Sequence, residues 1–227
     1  MKIAVIHHRL RGDAAADADA LASAARSACD RGAQVVVCPA VPSLAGLDGA
    51  ERDDLVSRVE GCVEGAALLI SFAADDSGPR FVDTPLGRTA LLGGDVCLHF
   101  DALREVQAAR ADAVVWRPGA ESDLQAEAVL EFALGCAPML AGVLVMAECA
   151  GGEGGSACCG VSAIIHAGQL VAESAGTIEE VLLADVPAPL GAPEPDLPLP
   201  ELPPILVQRL AVHEGRKPHV DYLADLS

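Results

Sequence analysis

Apolar positions along this chain fall into two periods that alternate from one end to the other. Lys2-Ile-Ala-Val-Ile-His7 reads as a first strand, and residues 17–31 follow with Leu21, Ala24, Ala25, Ala28 and Cys29 on one helical stripe, closed by Gly32. Gln34 to Cys38 is a continuous apolar run ending at Pro39, the pattern of a strand covered on both faces. Residues 51–66 return to the helical period through Leu55, Val59, Cys62 and Ala66, and residues 68–72 form the next buried strand. A polar turn at 75–79 leads to a short strand at 81–84, a turn at 85–88, and a strand expected to end on Cys97.

The second half repeats the scheme. A helix is expected over 101–111 with Asp101 as its N-cap, a strand over 113–117, a helix over 122–137, and a strand over 139–146. Residues 160–165, 170–173 and 180–185 form a closing meander, with a hairpin turn at Ala167-Gly168. Two β-α-β-α blocks, each finished by meander-like strands, predict an α/β four-layer αββα sandwich. It occupies 1–186, and 187–227 is a Pro-rich extended C-terminal tail with a short amphipathic end.

Composition narrows the partners. The formal net charge is −18 over 227 residues, and lysine occurs only at Lys2 and Lys217. Nucleic acid and anionic membranes both need clustered basic side chains, so neither is expected as a partner. No apolar run is long enough to span a bilayer, and the N-terminus enters a strand with no signal-peptide pattern, which places the protein in the cytoplasm. Eight cysteines without a CxxC pair suit free thiols in a reducing compartment, not a disulfide framework.

Cys97 draws the chemistry. A cysteine at a strand-to-helix elbow sits near backbone amides and a helix dipole that favour thiolate, and the turn presents sulfur to a cleft. The alternative is a small buried hydrophobe. The surrounding segments weigh in. Lys2-Ile-Ala-Val resembles the opening strand of the nitrilase (carbon–nitrogen hydrolase) superfamily. Residues 32–40, Gly-Ala-Gln-Val-Val-Val-Cys-Pro-Ala, are similar to that family's Gly-Ala-x-hydrophobic-hydrophobic-x-x-Pro-Glu segment. Residues 84–88 and 94–104 resemble its Thr-x-x-Gly-Lys and Cys-Tyr-Asp-x-Arg pieces, residues 110–118 its Gly-Ala-Asp strand, and residues 160–168 its Gly-x-Ser-x-Ile-Ile run.

That resemblance implies a Cys nucleophile, a Glu general base and a Lys that stabilises the oxyanion. Cys97 falls on the nucleophile position, but the glutamate position is Ala40. The family's Lys-bearing hairpin and loop has no counterpart, since only residues 73–88 join the flanking strands. Loss of an oxyanion donor costs ~10²–10³ in rate and loss of the base roughly 10²–10⁴ more. The expectation is a shortened homologue with a degenerate triad, non-catalytic or very weakly active, acting as a binding or assembly subunit. It is expected to be a homo-oligomer (dimer) with a small amide or acid as candidate ligand, and no cofactor is implied.

Two alternatives stand beside it. One is an active amidase rebuilt around Cys97, with Glu148 or Asp101 as base and Arg80 or Arg88 as cation. Glu148 ends an apolar strand that should abut the cleft. The other is a thiol or metal site at Cys38, Cys97 and Cys149, bordered by Cys158 and Cys159. His7-His8, at the end of the first strand, is expected to place one ring in and one out. Trp116 is either a pocket wall or core, and the Gly-rich stretch 151–155 is a turn.

Overall fold

A computed structural model describes residues 1–41, 47–63, 65–71, 78–151, 160–187, 191–193 and 197–215. Two sheets form the centre. The first has the order β11-β1-β2-β3, from β1 (Lys2–Arg9), β2 (Val35–Ala40), β3 (Ala67–Ser71) and β11 (Glu180–Asp185), with the short β8 (Cys149–Ala150) pairing the end of β1. In it β1, β2 and β3 run parallel and β11 closes antiparallel on β1. The second has the order β10-β9-β7-β6-β5-β4, from β4 (Arg80–Thr84), β5 (Gly87–Gly93), β6 (Ala113–Arg117), β7 (Val143–Met146), β9 (Val161–His166) and β10 (Gln169–Ala175).

The strand period of two explains the layers. Ile3, Val5, Val35 and Val37 point inward and meet Ala113, Val115, Val143 and Val145 in one buried cluster between the sheets. The alternate residues Ala4, Ile6, Val36 and Cys38 face outward, under α1 (Ala14–Asp30) and α2 (Gly49–Glu60). On the far side Leu92, Val114, Trp116 and Leu144 pack under α3 (Phe100–Ala109) and α4 (Asp123–Leu140). The architecture is therefore the expected α/β four-layer αββα sandwich. Asp13 and Asp48 start the first two helices by accepting from the amides of Ala16 and Glu51, and Ser122 starts α4 by accepting from Gln125.

Four local expectations change. The strand before Cys97 stops at Gly93, and Gly94 to Leu98 form a 3₁₀ turn, which Gly94 permits through a φ of 53°. His99 holds the N-cap position of α3 without a side-chain cap bond, and Asp101 is an exposed first-turn residue. The helix expected to end at 137 continues through Pro138 to Leu140, so the following strand begins at Val143. In the C-terminal stretch, 191–193 and 197–203 have no regular structure, but α5 (Pro204–His213) is a helix whose Leu206 and Leu210 join the core. Cys158, Cys159, Lys217 and most of the Gly-rich stretch lie outside the described residues. No helix among them is long and apolar enough to cross a membrane.

Candidate functional site

Cys97 lies in the 3₁₀ turn with no solvent exposure. Burial pushes its thiol well above the usual range, and the nearby Glu148 adds to that shift; the Arg117 backbone amide and the guanidinium groups of Arg209 and Arg117 oppose it. Desolvation therefore outweighs the amides expected to favour thiolate.

Glu148 is buried just beyond β7, and its place is fixed from several sides. Its Oε1 accepts from the Gly119 amide at 2.8 Å and its Oε2 from the Ala120 amide at 3.1 Å. Its own backbone N–H donates to Ser162 Oγ at 3.0 Å, while that hydroxyl donates to the Glu148 carbonyl at 3.1 Å. His7 Nδ1 lies 2.8 Å from the same Oγ. Gly160 completes the seat: a Cβ there would stand 2.2 Å from Glu148 Cβ. Burial pushes the carboxyl up to about 7, against the pull of the Gly119 and Ala120 amides and of Arg209 and Arg117.

The third titratable group is Arg117, at the end of the otherwise apolar β6. Its Nε donates to the Cys38 carbonyl at 2.8 Å and its Nη2 to the Leu69 carbonyl at 2.9 Å, so one buried guanidinium bridges from the second sheet to β2 and β3 of the first. Burial lowers it to about 10, and Cys38, Cys97 and Glu148 all favour its charge. Sequence reasoning put the cation at Arg80 or Arg88 instead. Arg80 is exposed on the edge strand β4, and Arg88 lies 5.0 Å over the Phe81 ring and donates to the Ala109 carbonyl. The signal for Arg117 was a single arginine closing a buried strand, a placement arginine rarely takes without partners.

The remaining candidates separate. Ala40 offers only its carbonyl, which accepts from Cys149 Sγ at 3.2 Å. Cys38 and Cys149 share the outer cluster under α1 and α2, whereas Cys97 belongs to the cluster of the second sheet. Burial pushes the Cys38 thiol up to about 12, and no group of three His, Cys, Asp or Glu side chains among the described residues has the arrangement to hold a metal ion. Lys2 donates to the Arg31 carbonyl at the opposite end of β1. Trp116 is core: it has no exposure and stacks on Phe132 at 6.0 Å. His7 and His8 are both buried, because His8 is covered by Asp17 of α1 at 2.7 Å and Glu179 at 3.1 Å.

No protein-family model and no curated protein sequence matches this chain. Solved structures do. A glutamate-to-glutamine variant of the amidase from Nesterenkonia sp. AN1, carrying the product of Michael addition of acrylamide at its active-site cysteine, superposes with a TM-score of 0.67. It is 23% identical over 84% of this chain and 95% of that one. A cysteine-to-serine variant of the same amidase, described as from the nitrilase superfamily, has a TM-score of 0.66 and 20% identity over 95% of this chain and 97% of its own. The paired sheets and their flanking helices thus have the nitrilase-superfamily fold.

Proposed function

We propose that this chain is a cytoplasmic nitrilase-superfamily protein that does not cleave carbon–nitrogen bonds by the family's Cys–Glu–Lys route, and that it serves as a binding or assembly subunit. One observation carries the reading: Cys97 is sealed from solvent, with no carboxylate at position 40. Glu148 is held through its oxygens by the Gly119 and Ala120 amides, and Arg117 Nε and Nη2 donate to two main-chain carbonyls. A nucleophile needs a base free to take its proton and a donor free to meet the oxyanion. The test is ammonia release from short aliphatic and aromatic amides. Wild type and Cys97→Ser should both match the buffer control, and release that disappears in Cys97→Ser overturns the proposal.

A second reading has its own support in Glu148, which is held near neutrality and lies within electrostatic reach of Cys97. Such a carboxyl is suited to proton transfer at pH 7. On this reading Glu148 is the base of a rebuilt amidase site. A haloacetamide adduct that forms on Cys97 in the folded wild type and fails to form in Glu148→Gln would favour it.

Self-association as a homodimer suits the subunit role. Leu124 at the start of α4 and Val207 and Val212 on α5 are more than half exposed, although α4 and α5 pack against each other. Apolar side chains left outside on neighbouring helices fit a second copy of the chain.

A further inference from the structure

Helix α5 lies across the turn that carries Cys97. Leu206 and Leu210 enter the cluster that holds Val96, Cys97, Leu98 and Trp116. The polar side of the helix is pinned to the frame of the thiol. Arg209 Nε donates to Asp95 Oδ1 at 2.9 Å and Arg209 Nη2 donates to the Pro118 carbonyl. His213 Nδ1 lies 2.6 Å from Asp95 Oδ2, and its Nε2 lies 3.3 Å from Glu121 Oε1. Asp95 is two residues before Cys97 and Pro118 directly follows Arg117, so these pins fall on the chain that surrounds the sulfur. A cleft of about 470 Å³ remains along the seam, lined in part by Gly94, His99, Pro118 and Arg209.

This docking is incomplete. Arg209 Nη1 and His99 Nε2 are buried with no hydrogen-bond partner among the described residues, and the nearest acid to His99, Glu214, is 3.9 Å away. A buried donor left unmade weakens the contact that buries it. Helix α5 is ten residues long, preceded by chain without regular structure and followed by Gly215 at a φ of 68°. A helix of that length has little stability of its own. The cluster between the sheets and the one under α1 and α2 draw nothing from it.

We infer that α5 is a displaceable plug: it covers the turn that carries Cys97, and its release exposes that turn to small solutes while the sandwich stays folded. The inference goes beyond the proposed function, because it concerns access to the thiol and not what the thiol does.

Hydrogen exchange and thiol alkylation of the full chain test it together. Amides of α5 should open ~100-fold or more often than those of β6, since a sub-global opening costs less than global unfolding. Iodoacetamide should modify Cys97, located by peptide mass spectrometry, with the opening constant of α5. Arg209→Gln should raise both quantities by the same factor, on the order of tenfold, as expected for a lost charge-assisted hydrogen bond. Asp95→Asn should do the same from the other side of the pin. Alkylation of Cys97 that keeps pace only with β6 exchange overturns the plug, as does a faster-opening α5 that leaves alkylation unchanged. The wild-type comparison decides even if a variant fails to fold. Neither readout depends on ammonia release, so the inference and the proposed function can fail separately.

Discussion

Glu148 shows how much one buried carboxyl can report. Its ordinary value of 4.5 is pushed up to about 7. Between those values the folded chain keeps a proton that the unfolded chain has released. Stability from the neutral carboxyl is therefore complete below about pH 4.5 and lost as the pH rises through about 7. His7 acts in the opposite sense. Burial lowers its imidazole from 6.5, so the stability tied to the neutral ring is present above about 6.5 and lost as the pH falls through the depressed value. Urea denaturation at a series of pH values should show Glu148→Gln abolishing the loss of stability between about 4.5 and 7 while leaving the acid-side loss in place. Gly160→Ala should destabilise by about 1–3 kcal/mol, since the new methyl must displace Glu148 or the chain beside it. A melting temperature unchanged within a degree would show that the seat is looser than its 2.2 Å approach implies.

Among the elements, β6 carries the most consequence. Its alternate residues serve both faces of its sheet, and its last residue crosses to the other sheet. Arg117→Met removes the bridge and leaves the Cys38 and Leu69 carbonyls without their donors. The expected cost is about 1–3 kcal/mol, a fall in melting temperature of roughly 2–12 °C for a chain of this size. Arg117→Lys should recover only part of it, because a point ammonium cannot fork to two carbonyls as a guanidinium does. Calorimetry of the two variants measures this. If the lysine variant equals wild type, the forked geometry contributes nothing and charge alone matters.

For the molecule as a whole, α5 has two faces with different duties. Leu206, Arg209 and Leu210 face inward, whereas Val207 and Val212 face out. Cutting the chain near residue 186 would strip the core along with the surface, and so would not isolate assembly. The combined variant Val207→Asp and Val212→Asp leaves the inward face intact. Light scattering should give a dimer mass for wild type and a monomer mass for this variant, with melting temperatures within a few degrees. A dimer in both would move the interface elsewhere.

The two hydrophobic periods, read along the chain alone, were enough for the four layers, since a strand buried on both faces and a helix buried on one stripe leave different spacings. That position 40 carries alanine and no carboxylate was equally visible, being a matter of residue identity. Burial and reach were not. That Cys97 is sealed, that Arg117 spans to the carbonyls of Cys38 and Leu69, and that Asp95 takes hold of a helix more than a hundred residues later are long-range facts. They depend on which segments meet when the sheets pair, and desolvation, which raises the Cys97 thiol and the Glu148 carboxyl and lowers the Arg117 guanidinium, exists only once they have met.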